Sequence, residues 1–338
     1  MANKAIKYRL HPTKEQIDMF VKTFGCCRKV WNLMLEDKIA YYNQTGKVLN
    51  TTPSMYKKDH PYLKEVDSLA LANVQLHLQA AYKNFFRTES IRFPRFKSIK
   101  YSKKSYTTNN QNGSIRIEGN KIRLPRIGFV KAVIHRMPNE DWKLKSATIA
   151  ETDEGKYYAS LLFEYERTTE FVSKNSSKSL GIDYAADGSF SDTSGQTCNL
   201  QSNYLRTVDK IAKEERILKR RVRGSNNYLK QNRKIKKLRH KAYNQRMDYL
   251  HKLSTEIANQ YDIVCVDSFN AKHVSYNKKR RKYSYSKNNG YRILLTMLKY
   301  KQYDRGHYFV EVERNAEDYQ CNPESIKSSG INQLLESA

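Results

Sequence analysis

Residues 263–270, IVCVDSFN, form an apolar run that ends on a carboxylate. Four consecutive apolar residues predict a buried β-strand, and Asp267 follows them directly. A second predicted strand, SLGID at residues 179–183, ends in the same way on Asp183. A long helical stretch separates the two strands, so this half of the chain is expected to be an α/β domain.

The order of these elements is the one used by RNase H-like nucleases. In that fold, acidic side chains from separated strands converge at the centre of the sheet and hold two divalent metal ions. Magnesium needs oxygen ligands, so three or four carboxylates are usual. Asp183 and Asp267 occupy suitable positions, although the spacing alone leaves open that they are turn or cap residues.

The helical stretch between the strands, residues 205–260, is broken at residues 224–227 and is heavily basic. A basic loop at residues 278–282 follows the second strand. Few acids lie within reach, which favours a phosphate-facing surface over a solvated helical hairpin. The predicted backbone and heteroduplex contacts here are Arg220, Arg221, Arg223, Lys230, Arg233, Lys234, Lys237, Lys279, Arg280 and Arg281.

The N-terminal half begins with a predicted strand at residues 4–10, and a capping box of Thr13 and Gln16 then starts a helix. A second amphipathic helix is predicted from Ser68 to Arg87. After residues 93–98 the pattern alternates with turn signals, which predicts antiparallel hairpins in a small β-barrel or sandwich. Residues 173–179 are a polar linker.

Composition limits the class of partner. The chain has 338 residues with 62 Lys+Arg against 34 Asp+Glu, a formal charge of +28. A folded chain this basic is expected to bind an anion, and nucleic acid is favoured because tyrosines and phenylalanines offer stacking faces between the cations. An anionic membrane is the rival, but there is no 18-residue apolar run or lipidation motif. The five cysteines include no C-x-x-C pair, so reduced thiols in a cytosolic protein are expected.

Several ordered motifs resemble the TnpB/OrfB proteins of bacterial insertion sequences, relatives of the type V CRISPR effectors. They include YRLHPTKEQ, GCCRKVWN, FPRFKS, LPRIG, the GID strand, RMDYLHKLSTEIANQYDIVCVD and LLTMLKYKQYDRGHYFVEVE. The resemblance implies an α+β multidomain fold. Residues 1–10 and 91–172 would form a β-barrel wedge domain, interrupted by a helical recognition insert at 11–90. A 173–179 linker and an RNase H-like (RuvC) domain at 180–338 would follow.

The same resemblance implies where nuclease chemistry would lie. The first RuvC carboxylate matches Asp183, whereas the second is normally Glu and is here Asp267. The family continues with a four-cysteine zinc ribbon and a third catalytic segment, neither of which is present; Cys321 stands alone. We therefore expect Asp183 and Asp267 to be vestigial, the chain to lack nuclease activity, and no resident metal or other cofactor to be required, with weak Mg²⁺ binding left open. Glu311, Glu313, Glu317 and Asp318 are alternative third ligands.

The expected function is then a guide-RNA-dependent DNA-binding repressor that occupies a promoter as an R-loop. The alternatives are a metal-dependent RNA-guided DNA endonuclease with a rearranged site, and an unguided nucleic-acid-binding accessory protein. The expected partners are a guide RNA and double-stranded DNA beside a short adjacent motif, with one protein copy per RNA. The expected location is the bacterial cytoplasm, at the nucleoid when DNA is bound.

The family reads its adjacent motif with the first strand and the second helix. The corresponding candidates are Lys4, Lys7, Arg9, Asn73, Gln75 and Gln79, with ordinary polar helix residues as the equal alternative for the last three. Backbone contacts near the end of that helix are expected from Lys83, Arg87, Arg95 and Lys97. Tyr82, Phe85 and Phe86 are expected to pack in the core, with stacking on a nucleobase as the alternative.

Overall fold

A computed structural model describes residues 1–166, 169–174, 176–184, 190–195, 197–198, 202–267, 290–312 and 323–336. The chain divides into two compact units, Met1–Arg167 and Thr168–Ala338. Among the helices in these ranges, none is long and apolar enough to cross a membrane.

The first unit is built on a seven-stranded antiparallel sheet with the order β2-β6-β7-β1-β5-β4-β3. Its strands are β1 (Ala2–His11), β2 (Ser105–Asn109), β3 (Arg116–Glu118), β4 (Lys121–Leu124), β5 (Gly128–Val133), β6 (Lys143–Glu151) and β7 (Tyr157–Tyr165). The N-terminal strand is central, with Ile6 opposite Leu161 on β7 and Leu10 opposite Ala132 on β5. The chain start is thereby held in the middle of the sheet.

Tight turns set the register of the two predicted hairpins. Gly119 (φ 54°) joins β3 to β4, and Gly155 (φ 74°) lies between β6 and β7. Both residues adopt the left-handed conformation that glycine tolerates without a steric penalty. The alternating pattern of each hairpin then points one face inward, so Ile122, Ala147, Ile149, Ala159 and Leu161 are buried.

Two helices complete this unit, α1 (Lys14–Thr45) and α2 (Ser68–Arg87), and two short 3₁₀ turns lie between them. The predicted capping box starts α1: Thr13 Oγ1 accepts from the Gln16 backbone N–H, and Gln16 Oε1 accepts from the Thr13 N–H. Helix α2 is capped by Asp67, whose carboxylate accepts from the Leu69 N–H at 3.1 Å. The apolar faces of both helices and the inner face of the sheet form one core.

The second unit contains a five-stranded mixed sheet with the order β10-β9-β8-β11-β12. The strands are β8 (Ser179–Tyr184), β9 (Phe190–Asp192), β10 (Thr197–Cys198), β11 (Ile263–Asp267) and β12 (Tyr308–Val312). The first three pair antiparallel, whereas β11 is parallel to both β8 and β12. The parallel pair β8–β11 is bridged by α3 (Ser202–Lys219) and α4 (Asn226–Gln260).

Helices cover both faces of this sheet. Leu180, Ile182, Val264 and Val266 pack against α4 and α5 (Tyr291–Asp304). The intervening residues, including Ile263 and Cys265, pack against α6 (Pro323–Glu336). Strand alternation therefore divides the sheet into an α4/α5 face and an α6 face.

Most elements agree with the sequence, and two findings differ. The seven strands of the first unit form one open, curled sheet, and its edge strands β2 and β3 are not paired with each other, so hydrogen-bonded closure into a barrel is not formed among these strands. Helix α6 was not predicted from the sequence, although Ile326, Gly330 and Leu334 recur at a spacing of four residues and are buried. The wedge and insert boundaries stay predictions.

Candidate carboxylate site and nucleic-acid interface

The parallel pairing of β8 and β11 brings the two predicted aspartates to neighbouring backbone positions. Ile182 pairs with Val266, so Asp183 and Asp267 stand side by side one residue further along their strands. Asp183 is half-buried. It lies two residues after Gly181 on β8, so strand alternation places both residues on the α6 face of the sheet. The backbone register therefore places the two aspartate positions at the ends of adjacent strands.

Two other acids of this sheet lie on the opposite face. Glu311 pairs in register with Val266, and its carboxylate contacts Lys299 Nζ at 2.8 Å. Asp192 pairs with Ile182 and accepts from the Ser194 backbone N–H at 2.9 Å. Glu311 is thus not placed to join Asp183, which removes one of the predicted third ligands. Glu313, Glu317, Asp318 and Cys321 lie outside the described residues.

The donor set of this site is consistent with a hard divalent ion but is incomplete in the described part of the chain. Two carboxylate-bearing positions share one register, and oxygen donors are what Mg²⁺ prefers. Within the described ranges, no group of three or more His, Cys, Asp or Glu side chains could hold a metal ion. Asp183 and Asp267 would supply two ligands of such a site.

The predicted basic hairpin exists, and its charge is largely exposed. Helix α3 ends at Lys219, and Ser225 caps α4 by accepting from the Tyr228 N–H at 3.2 Å. Two cations are paired across the hairpin: Lys234 contacts Glu214 at 2.7 Å and Arg239 contacts Glu215 at 2.6 Å. Exposed cations that form no ion pair with the described residues are Arg220, Arg221, Arg223, Lys230, Arg233 and Lys237.

This distribution refines the predicted phosphate contacts. Lys234 is engaged with Glu214, so it is a weaker candidate than its neighbours. The six cations that form no ion pair within the described part of the chain lie along the connection and the first half of α4, which leaves a strip of positive charge for phosphate groups. Lys279, Arg280 and Arg281 fall outside the described residues.

The candidates on β1 are split between the two faces of the sheet. Lys7 and Arg9 lie over the ring of Tyr158, at 4.4 and 5.1 Å from its centroid. Lys4 has the opposite parity and lies over Trp142 at 5.7 Å. The strand therefore presents Lys7 and Arg9 together, and Lys4 is separate from them.

The candidates on α2 are split in the same way by helix geometry. Asn73 is buried, and its amide donates to the Leu69 carbonyl at 2.9 Å. Gln75 and Gln79 follow by two and six residues, which turns both toward a different side of the helix. Gln79 is exposed and Gln75 is half-buried.

Asn73 instead lines a cavity of about 350 Å³ between α1, α2 and β2. The other polar groups around it include His77, Lys97 and Lys103. Partial burial, followed by the charge of Lys97, lowers the pKa of His77, which favours the neutral imidazole. The cavity residues His77 and Lys103 were not singled out from the sequence, because nothing in the local pattern marks them.

The segment FPRFKS, residues 93–98, is hydrogen-bonded to two side chains of α1. Trp31 Nε1 donates to the Arg95 carbonyl at 3.0 Å. Asn32 donates to the Lys97 carbonyl at 2.9 Å and accepts from the Lys97 N–H at 2.7 Å. Lys97 Nζ lies 3.8 Å from the Trp31 ring centroid, and burial lowers its pKa. Lys97 is therefore a partly buried cation, whereas Lys83, Arg87 and Arg95 are exposed as predicted backbone contacts require.

The aromatic residues at the end of α2 do not all enter the core. Tyr82 packs partly against it, but Phe86 is 77% exposed. The prediction of core packing is wrong for Phe86, because burial along α2 decreases after Leu78, its last fully buried residue, and Phe86 lies about two turns further on.

The paired aspartate positions, the exposed cationic strip and the mixed α/β architecture are typical of proteins that bind nucleic acid. Two profiles of the OrfB family of the IS605 type match the chain. One, described as a helix-turn-helix domain, matches residues 1–47, and the other, described as a probable transposase, matches residues 155–282. The chain belongs to this OrfB family, which confirms the resemblance found in its motifs. Residues 1–47 nevertheless form one strand and one long helix, β1 and α1.

Two relatives agree with this assignment, and one solved structure shares the fold. A putative RNA-guided DNA endonuclease from Streptomyces pristinaespiralis is 29% identical, across 92% of this chain and 77% of that protein. The putative RNA-guided DNA endonuclease InsQ of Escherichia coli strain K12 is 28% identical, across 80% of this chain and 67% of its own length. A cryo-EM structure of the Cas12f1-sgRNA-target DNA complex shares the fold with a TM-score of 0.56 at 12% identity, over 100% of this chain and 99% of that one.

These findings correct the expectation that the chain is not an enzyme. The two relatives are named as endonucleases, and the transposase profile spans both Asp183 and Asp267. The expectation rested on Asp in place of Glu and on a missing downstream segment. A carboxylate one methylene shorter still offers oxygen donors to a metal, so the substitution did not establish loss of activity.

Proposed function

We propose that this protein is an RNA-guided DNA endonuclease whose second unit is an RNase H-like, RuvC-type nuclease domain. The observation that carries the proposal is the pairing of β8 with β11, which sets Asp183 beside Asp267 in the register of a sheet of order β10-β9-β8-β11-β12. The endonuclease names of the two relatives support it.

Asp183 and Asp267 are the proposed ligands of Mg²⁺. When bound, such an ion stabilises charge on the oxygens of a phosphodiester and activates the attacking water. The chain's own part is to hold two carboxylates at fixed backbone positions on adjacent strands, which the hydrogen-bonded register and the cover of α6 achieve.

The proposed partners are a guide RNA and a target DNA, bound by one copy of the protein per RNA. The exposed cations of the α3–α4 hairpin would contact phosphates, and guide pairing would supply the sequence specificity. We assign the short adjacent motif to the first unit, where Lys7 and Arg9 on β1 and Gln75 and Gln79 on α2 offer polar groups to base edges.

The decisive experiment measures binding and cleavage in the same complexes. The protein is expressed with its flanking non-coding sequence, the RNA that copurifies is sequenced, and the complex is mixed with matched or mismatched DNA in Mg²⁺ or Mn²⁺. We expect cleavage of the matched DNA only. Because a metal ligand supplies several kcal/mol of transition-state stabilisation, Asp183→Ala should lower the cleavage rate by at least about 100-fold with DNA binding retained.

Calorimetric titration with Mg²⁺ gives a readout that does not depend on cleavage. The wild-type complex should bind the ion more tightly than Asp183→Ala, and Asp192→Ala, on the other face of the sheet, should resemble the wild type. Guided binding of matched DNA with no cleavage in either metal would contradict the endonuclease proposal. Binding that ignores the guide sequence would contradict the guided function altogether.

A further inference from the structure

Four aromatic rings form a cluster on the surface of the first unit, at the end of α2 and the start of FPRFKS. They are Tyr82, Phe85, Phe86 and Phe93, with neighbouring centroids between 5.2 and 6.4 Å apart. Phe93 meets Tyr82 and Phe85 edge-on, while Tyr82 and Phe86 are nearly parallel at 20°. The rings thus contact one another in the stacked and edge-on arrangements that aromatic pairs prefer.

One side of the cluster contacts the hydrophobic core, and the other side is exposed to solvent. Tyr82 packs partly on the hydrophobic core, whereas Phe86 is 77% exposed and Phe93 is 42% exposed. Exposing rigid aromatic faces costs solvation free energy, and a contiguous exposed apolar patch usually marks a binding surface. The geometry suits a flat ligand that stacks on the outer face of Phe86.

The surrounding charge identifies the chemistry of that ligand. Residues 82–101 contain six basic side chains, Lys83, Arg87, Arg92, Arg95, Lys97 and Lys100, and one acidic side chain, Glu89. A protein interface is depleted of charge at its centre, and a second copy of this chain would bring the same positive charge to the contact. Aromatic faces between cations instead match the stacking platforms that bind single-stranded nucleic acid.

We propose that the Tyr82–Phe85–Phe86–Phe93 cluster binds an unpaired DNA strand by stacking a nucleobase on Phe86, with Lys83 and Arg87 contacting the adjoining phosphates. This inference rests on the proposed guided function. Pairing of a guide RNA with one DNA strand releases the other strand, whose unpaired bases then need a binding surface. The site does not involve Asp183 or Asp267 and takes no part in the cleavage step.

The test uses the full-length ribonucleoprotein and a non-complementary single-stranded oligodeoxynucleotide carrying 2-aminopurine, whose fluorescence is quenched when it stacks. Phe86→Ala should weaken binding about tenfold and abolish the quenching. Phe86→Leu keeps apolar area but lacks a flat π face, so it should behave like Phe86→Ala, whereas Phe86→Trp should restore both signals. Tyr42→Ala, which removes an aromatic residue that is 58% exposed on α1, is the matched control and should bind as the wild type does.

Each contrary outcome overturns the proposal. Equal oligonucleotide binding by Phe86→Ala and the wild type would exclude a role for the cluster. If Phe86→Leu behaves like the wild type, the cluster binds by general apolar contact and not by stacking. An oligoribonucleotide that binds much more tightly than the DNA would reassign the site to RNA. If light scattering shows that the wild type is a dimer and that Phe86→Ala is a monomer, the cluster is a protein interface. Guided cleavage by Phe86→Ala is measured in parallel, so failure of this proposal is distinguished from failure of the guided function.

Discussion

At the scale of single residues, Gly181 shows how closely α6 approaches the sheet. A Cβ built at this position would lie 2.0 Å from the Pro323 carbonyl oxygen, a backbone atom that no side-chain rotation can move. A second glycine makes a similar approach, since a Cβ on Gly330 would lie 2.5 Å from Cys265 Sγ. The two glycines let α6 lie against β8 and β11, the strands that carry the paired aspartates.

Gly181→Ala should therefore lower the free energy of unfolding of the second unit by about 1–3 kcal/mol, because α6 must shift to admit the methyl group. Urea unfolding followed by circular dichroism measures the change. Gly25→Ala is the control: its nearest contact is Arg28 Nη2 at 4.0 Å in the middle of α1, so it should raise stability by roughly 0.5–1 kcal/mol. An unchanged midpoint for Gly181→Ala would mean that α6 is not seated on β8.

Lys301 is a buried lysine that joins α5 to α4. Its ammonium donates to the His251 carbonyl at 2.7 Å, to Ser254 Oγ at 2.7 Å and to Thr255 Oγ1 at 2.6 Å. Burial, followed by the charge of Arg305, lowers the pKa of Lys301 from its ordinary value to about 8. The lysine thus remains largely protonated at neutral pH and keeps its three hydrogen bonds.

This lowered pKa makes the stability of the second unit depend on pH. In the unfolded chain the lysine keeps its proton up to about pH 10, whereas the folded unit releases it from about pH 8. The unfolded state therefore binds more protons in this window, and the free energy of unfolding rises with pH relative to Lys301→Met. Between pH 7.5 and 9.5 the free energy of unfolding of the wild type should rise by about 2 kcal/mol relative to that of Lys301→Met. A constant difference in urea midpoints over that range would contradict the lowered pKa.

At the scale of elements, we propose that the α3–α4 hairpin supplies the electrostatic part of nucleic-acid binding. Each phosphate contact adds about 0.9 to the slope of log K against log salt concentration on duplex DNA. Replacing Arg220, Arg221 and Arg223 by glutamine should make the slope shallower by about 2–3. The matched control is Lys252→Gln, because Lys252 is already paired with Asp248 at 2.8 Å on the same helix and should leave the slope unchanged. A triple variant with the wild-type slope would show that the hairpin faces solvent.

Elements with a local signal were predicted well from the sequence. The Thr13–Gln16 capping box, the glycine turns of the two hairpins and the break between α3 and α4 depend on residues within a few positions of one another. Helix α6 was missed because its apolar stripe is short and its stability comes from packing on distant strands. The split of Lys4 from Lys7, and of Asn73 from Gln75, follows from periodicity and was available from the sequence.

At the scale of the whole molecule, more of the architecture than of the chemistry could be predicted from the sequence. The order of strands and helices, which is that of RNase H-like nucleases, indicated that Asp183 and Asp267 belong to one site, and the two residues end neighbouring parallel strands. Activity was a different matter, because it depends on groups brought together from several segments. The polar cavity beside Asn73 was equally out of reach, since it depends on how α1, α2 and β2 meet.

Because β8 pairs with the distant strand β11, the order of the elements between and after them also determines when each part of the sheet is translated. The ribosome completes the basic hairpin at Gln260, before the last residues of β11 exist and well before α6 begins at Pro323. At about 5–20 residues per second, the interval between Gln260 and Pro323 lasts about 3–13 s. The cationic hairpin is thus translated before the strand that bears the second aspartate is complete, and seconds before the helix that covers one face of that strand begins.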